Sequence, residues 1–381
     1  MKRIIGLAVV AAAIVGGGLY YQSTQQAPAP APAPEPAVAE APAPAPTPAE
    51  KLKACWIYVG PVGDHGYSYS HDLGRKTVAE QMADKVETVF VENVAEGPDA
   101  ERVIERLARE GCKAIFTTSF GFMDPTINVA AKFPDVKFEH ATGIKRADNV
   151  ATYSARFYEG RYVLGQIAAK MSKSGTAGYV ASFPIPEVIS GINAFMLGAQ
   201  SVNPDFKVKI IWVSSWYDPG KEADAAKVLF GQGADFITQH TDSTAPIQIA
   251  EEQGKFAFGQ SSDMTKFAPK SQVTSIVNNW GPYYIRRIQA VIDGTWKSED
   301  TWEGMAQDMV VLAPFTNITD DAKALAEGTV AKLKSGELHP FGGVITKQDG
   351  TTVGEAGKAL PDGDILGMMW YVKGIEDKLP Q

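Results

Sequence analysis

The chain is expected to be an α/β protein built from two doubly wound parallel-sheet lobes joined by a hinge. Three observations predict this. From Ala54 onward, short runs rich in Val, Ile and Phe alternate with helix-length segments, which implies parallel strands with helices on both faces. The same order of elements then occurs a second time. Finally, several segments run between the two halves, the plan of a cleft that closes around a small ligand.

In the first lobe, residues 52–155, strands are expected at Ala54–Gly60, Glu87–Glu92, Ala114–Thr118 and Lys137–His140. Helices are expected between them at Ser70–Met82, Asp99–Glu110 and Pro125–Phe133. The second lobe, 156–272, repeats the pattern with strands at Ala177–Ala181, Lys207–Ser214, Asp235–Gln239 and Lys255–Phe258. Its helices are Pro186–Ser201, Lys221–Gly231 and Ala245–Glu252. Glu110–Gly143 and Gln232–Asp263 run parallel: each reads helix end with Gly, strand, polar-aromatic loop with Asp, helix, turn, strand. Asn149–Met171 bridges the first lobe to the second, and Val273–Trp280 carries the chain back. The remainder, 273–381, adds a helix at Pro282–Asp293, a strand pair at Met305–Pro314, a helix at Asp320–Ser335 and a Gly-rich tail.

The amino terminus has a different character. Met1-Lys2-Arg3 is a basic start and Ile4–Tyr21 is almost wholly apolar, so residues 1–21 read as an export signal, either cleaved or kept as a membrane anchor. Lys2 and Arg3 would keep the short end in the cytoplasm and place the rest in the periplasm or outside. Residues 22–51 are Ala/Pro repeats that cannot form a core; at ~3.1 Å per residue they make a semi-rigid spacer on the order of 90 Å long.

Across 381 residues, 45% hydrophobic and 21% charged, a sizeable core is possible, and a net charge of −8 argues against a nucleic-acid binder. The two cysteines, Cys55 and Cys112, lie at the first and third strands, neighbours in a sheet of order 2-1-3-4-5. Given export, they form either a disulfide or two buried thiols.

The stretch Cys55–Lys76 joins a strand, a glycine-broken loop and a helix, and that loop belongs at the carboxyl end of the strand, where open α/β sheets bind ligands. Its Gly60-x-x-Gly63-x-x-Gly66 spacing is not that of a phosphate loop; Pro61 removes a donor and Asp64 repels an anion. Glu92, at the end of the second strand, is the one feature of a dinucleotide fold. Five scattered histidines show no metal-ligand spacing, and no nucleophile elbow surrounds Ser119 or Ser182, so neither a metal, another cofactor nor a catalytic nucleophile is expected.

Aromatic side chains beside single carboxylates accumulate at the strand ends instead. The first lobe offers Asp64, Tyr67 and Tyr69, then Phe120, Phe122 and Asp124. The second offers Phe183, Trp216, Tyr217 and Asp218, then Asp242 and Asp263. Flat faces from both sides suit a planar ligand, with carboxylates accepting ring N–H or hydroxyl protons. Asp124 before Pro125 and Asp218 before Pro219 serve equally well as helix caps.

GDHGYSYS (63–70), FGFMDPTINVAAKFPDVKF (120–138), RFYEGRYVLGQIAAKMS (156–172), SSWYDPGKEADAA (214–226) and the strand-end Asp263 together resemble the basic membrane protein (BMP) family of ABC-transporter substrate-binding proteins. The resemblance implies a type I periplasmic-binding fold that takes a purine nucleoside or related ligand between its lobes, and a permease and ATPase as partners. By position it puts Tyr67 and Trp216 on the base, Asp124 after the third strand and Asp263 on ribose hydroxyls. Where nucleoside-binding members carry a Lys after a Thr-Ser pair, Thr274-Ser275 here leads to Asn278. An amide in place of an ammonium favours a free purine base, with a nucleoside as the alternative. The protein is expected to act as a monomer. A sensor domain for a membrane signalling partner, or an exported purine-processing enzyme, are the other readings.

Overall fold

A computed structural model describes residues 50–380 and, outside that range, Ala31 alone. The apolar segment read as a signal or anchor, and nearly all of the Ala/Pro spacer, lie outside the described residues.

The first sheet holds β1 (Leu52–Ile57), β2 (Val86–Val91), β3 (Ala114–Thr117), β4 (Lys137–Ala141) and β5 (Val150–Ala155) in the parallel order 2-1-3-4-5. Between them run α1 (Tyr67–Gln81), α2 (Pro98–Arg109) and α3 (Met123–Ala130). Local chemistry sets these helices. Helix α2 starts with Pro98, has Asp99 and Glu101 in its first turn and Arg106 and Arg109 in its last, complementing the helix dipole. The second sheet repeats the plan with β6 (Thr176–Ala181), β7 (Lys207–Trp212), β8 (Phe236–His240), β9 (Phe256–Gly259) and β10 (Gln272–Asn278), in the order 7-6-8-9-10. Its helices are α4 (Phe157–Met171), α5 (Pro186–Gln200), α6 (Pro219–Gly231) and α7 (Ala245–Gln253).

The chain passes between the sheets three times. After β5 it enters α4, which packs on α5. After β10 it enters α8 (Trp280–Ile292), which packs back on α1. The stretch expected as a strand pair at Met305–Pro314 holds only one strand, and its companion comes earlier. β11 (Asp300–Glu303) joins the first sheet parallel to β5, while β12 (Val310–Leu312) joins the second antiparallel to β10. The reason is connectivity: the turn at Met305–Gln307 is itself a crossing, so flanking strands cannot pair with each other.

Helix α9 (Asp320–Ser335) follows, and the tail is not loose. Its α10 (Asp362–Leu366) meets the crossing residue Arg156, whose Nη1 donates to Asp362 Oδ1 at 2.8 Å. Farther on, Asn193 of α5 donates to Trp370 O at 2.7 Å and accepts from Val372 N at 3.0 Å. The tail thus straps the second lobe to the hinge.

Cys55 of β1 and Cys112 just before β3 form a disulfide, with Cα atoms 6.0 Å apart. Adjacent parallel strands bring them together, since β1 pairs directly with β3.

Candidate binding site between the lobes

The carboxyl ends of both sheets face one another, so the loops after β1 and β3 meet those after β6 to β9. The first loop is built to be rigid. Buried Asp64 accepts from the backbone N–H groups of Gly66 (2.8 Å), Ser68 (3.1 Å) and Tyr69 (3.0 Å), holding the start of α1. Glu92 accepts from Val62 N at 2.6 Å, so the acid that a dinucleotide fold would place on a ribose fastens this loop instead.

Tyr67, the first residue of α1, is braced from behind. Its ring meets His71 edge-on at 4.3 Å, and His71 stacks on Trp280 of α8 at 4.5 Å. Trp280 Nε1 in turn donates to Ser70 Oγ at 3.1 Å, and His71 Nδ1 is hydrogen-bonded to Tyr284. The returning helix α8 therefore sets the position of the first-lobe aromatic.

From the second lobe come Trp216 after β7, Asp242 after β8 and Gln260 after β9. Phe183 backs Trp216 with ring centroids 5.1 Å apart, and Trp216 O accepts from Asp242 N at 2.9 Å. Glu187, in the first turn of α5, lies 3.3 Å from His240 Nε2. A carboxylate only accepts, so His240 carries its proton on Nε2 and presents Nδ1 as an acceptor, which has no partner. Gln260 Oε1 accepts from the fully buried Arg161, leaving its amide N–H groups as the donors that line the pocket.

These residues enclose a pocket with Tyr67, Ser119, Phe120 and Thr142 on one side and Trp216, Glu187, His240, Asp242 and Gln260 on the other. The lobes touch at its rim, leaving about 20 Å³ inside. His65 O accepts from Ser262 Oγ, and the His65 ring lies 4.7 Å from Phe267. A Cβ on Gly66 would sit 2.3 Å from Asp242 O, so a glycine is required for this approach.

Of the residues expected at the site, Tyr67, Phe120, Trp216 and Asp242 line this pocket. Asp64 stands behind it as the α1 cap, and Phe183 behind Trp216. Phe122 is fully buried in the first-lobe core, because the tight turn at Phe120–Phe122 sends the two rings to different places. Asp124 is exposed and paired with Lys145 Nζ at 2.6 Å. Asp263 is also exposed; its Oδ1 accepts from Thr265 N at 2.9 Å and from Gln272 Nε2 at 3.2 Å, so it organises its own turn. Asn278 is buried with both amide atoms unpartnered, and its backbone N–H donates to Ser261 O at 3.2 Å. Asp218 caps α6 by accepting from Lys221 N at 3.1 Å. Glu187, His240 and Gln260 escaped sequence reasoning. Each follows an apolar run, with no spacing signal to mark it.

Charge is arranged unusually here. Burial pushes the Asp64 carboxyl up to about 6, partly offset by its three backbone donors. Burial likewise raises Asp242 well above the carboxylate range, and the facing charges of Asp64 and Glu222 add to the effect. Burial lowers His240 below its ordinary value, so its ring is neutral. The pocket thus offers acceptors that are poorly solvated and a neutral imidazole beside aromatic faces. Among the described residues no group of three His, Cys, Asp or Glu side chains is placed to hold a metal.

Two doubly wound lobes with a pocket at their facing strand ends define a hinged small-molecule binding protein. The family model described as ABC transporter substrate-binding protein, PnrA-like, matches residues 51–339, and the chain belongs to this Bmp family. It is 65% identical over 332 residues to a purine-binding protein of Brucella abortus, covering 87% of this chain and 95% of that one. A putative ABC transporter glucose-binding protein of Haloferax volcanii is 35% identical, covering 87% of this chain and 82% of the relative. The fold matches a solute-binding protein of an ABC transporter system from Aeropyrum pernix with a TM-score of 0.65 at 20% identity, covering 76% of this chain and 92% of that one.

Proposed function

We propose that the protein is the extracytoplasmic receptor of an ABC importer and captures a purine base between its lobes, delivering it to a permease and ATPase. The observation that carries this reading is the composition of the interlobe pocket. Tyr67 and Phe120 from one lobe and Trp216 from the other supply flat apolar faces. Around them stand the Asp242 carboxylate, the unpartnered His240 Nδ1 and Tyr67 hydroxyl, and the Gln260 amide donors. A purine has ring N–H groups for the first two and ring lone pairs for the last. The 65% identical relative is described as purine-binding, which supports the same reading.

Binding starts with the lobes parted and ends with their closing on the ligand, because about 20 Å³ does not admit a base. No residue in the pocket is needed as a nucleophile or general acid for this, and the role is capture rather than turnover. Calorimetry with adenine, hypoxanthine, guanine, their ribosides and glucose tests it. Bases are expected to bind more tightly than ribosides, and glucose not at all. A riboside binding more tightly than its base, or glucose binding alone, would overturn the assignment.

A further inference from the structure

The pocket continues into a second, larger chamber toward the hinge. It has a volume of about 360 Å³ and shares Phe120, Thr142 and Glu187 with the inner pocket. Its far walls are Phe157, Tyr158, Trp302, Ile185 and, from the tail, Ile365 and Leu366. The tail residues lie beyond position 339, where the family match ends.

Several polar groups of the chamber are paired within the protein. Arg146 Nη1 donates to Thr152 Oγ1 at 3.1 Å, Thr152 Oγ1 donates to Asp300 Oδ1 at 2.6 Å, and Arg146 lies 3.4 Å from Asp300. Ser154 Oγ donates to Glu187 Oε2 at 3.3 Å, Ser190 Oγ to Glu187 O at 3.0 Å, and Trp302 Nε1 to Ala155 O at 3.1 Å. Tyr158 OH accepts from Arg156 at 2.8 Å. Apolar side chains make up most of this lining, in contrast to the inner pocket, where Tyr67 OH and His240 Nδ1 stand without a partner.

We infer that the outer chamber receives an apolar substituent on the purine, so that the ligand class includes bases carrying an alkyl or benzyl arm. The inference rests on the inner pocket holding the base. A ribose placed in the outer chamber would bring three hydroxyls largely against Phe157, Ile185, Trp302, Ile365 and Leu366, and each unmet polar group costs affinity. An apolar arm asks for no hydrogen bonds and buries its surface against Trp302, Ile185 and Leu366.

Calorimetry on the full chain with adenine, N6-benzyladenine, N9-benzyladenine and adenosine tests this. One of the two benzyl isomers, whichever points its arm toward the hinge, should bind at least ~10-fold more tightly than adenine. Adenosine should bind no more tightly than adenine. Leu366→Asp, at a position 38% exposed at the chamber mouth, should shrink the ratio of benzyladenine to adenine affinity several-fold. If adenine binds but neither benzyl isomer exceeds it, the outer-chamber inference is overturned while the base pocket stands. If the ratio survives Leu366→Asp, the arm lies elsewhere and the inference is also overturned. If adenine itself fails to bind, the inner-pocket reading falls and takes this one with it.

Discussion

At the scale of single residues, Trp216 and Asp242 carry the sharpest expectations. Trp216 rests on Phe183 and gives its other surface to the pocket, so Trp216→Ala removes ligand contact more than core packing. Loss of about 2–3 kcal/mol of binding is expected, on the order of 30- to 150-fold in adenine affinity by calorimetry, with the melting temperature of the unliganded protein nearly unchanged. Asp242 behaves differently because it faces Asp64 in a desolvated place. Asp64 titrates near 6 in the folded protein against an ordinary 3.8, so between about pH 4 and 6 the folded state holds the extra proton. Stability from this pair is present below about pH 4 and is lost as pH rises toward 6. Asp242→Asn removes one of the two titrating carboxyls while keeping an oxygen to accept from the Tyr67 backbone. Scanning fluorimetry should show the variant melting above the parent at pH 7, by a margin that shrinks toward pH 4. Its adenine affinity should fall, since the amide NH2 replaces one of the two carboxyl oxygens that can accept. A margin that stays constant with pH would remove the facing-carboxylate account.

Between elements, covalent and steric ties do what hydrogen-bonded ladders cannot. The Cys55–Cys112 bond spans 57 positions of sequence and ties strand β1 to the loop leading into its neighbour β3. By loop-closure entropy it stabilises the folded state by about 4 kcal/mol. Urea unfolding with and without reductant, or of a Cys55→Ala/Cys112→Ala variant, should show a loss of about 2–4 kcal/mol; equal midpoints would refute it. In the second lobe, a Cβ on Gly165 of α4 would sit 1.9 Å from Phe195 O of α5. The two helices therefore run backbone against backbone, which anchors the first crossing segment firmly to its new lobe.

For the whole molecule, function depends on how the two lobes meet. The rim contact of Gly66 with Asp242 leaves no room for even one methyl group. Gly66→Ala should hold the lobes apart by a small amount, enough to lower adenine affinity at least ~10-fold through a faster dissociation rate. Small-angle scattering should show the parent contracting when adenine is added and the variant contracting less. Full contraction and unchanged affinity would mean that closure does not pass through this contact. The tail strap from Asp362 to Arg156 joins the same hinge, so closing and the outer chamber share a wall.

Much of this was legible in the sequence, and the rest could not have been. The alternation of strands and helices is encoded locally, in the period of apolar residues and in caps such as Pro98 and Asp218, and α9 falls where its pattern begins and ends. The strand order followed from that alternation and placed the two cysteines side by side. Aromatics in strand-end loops pointed to Tyr67, Phe120 and Trp216 because rings are conspicuous outside a core. The polar half of the pocket was decided by tertiary structure. Glu187, His240 and Gln260 lie far apart in the chain and acquire meaning only when α5, β8 and β9 converge. Their roles are set by partners such as Arg161, whose donors fix which way the Gln260 amide turns. The same long-range geometry turned Asp124 to the surface, made Asp64 a cap and split the stretch after Asp300 between two sheets. Local chemistry determines which element forms; the crossings of the chain determine which side chains face each other across the cleft.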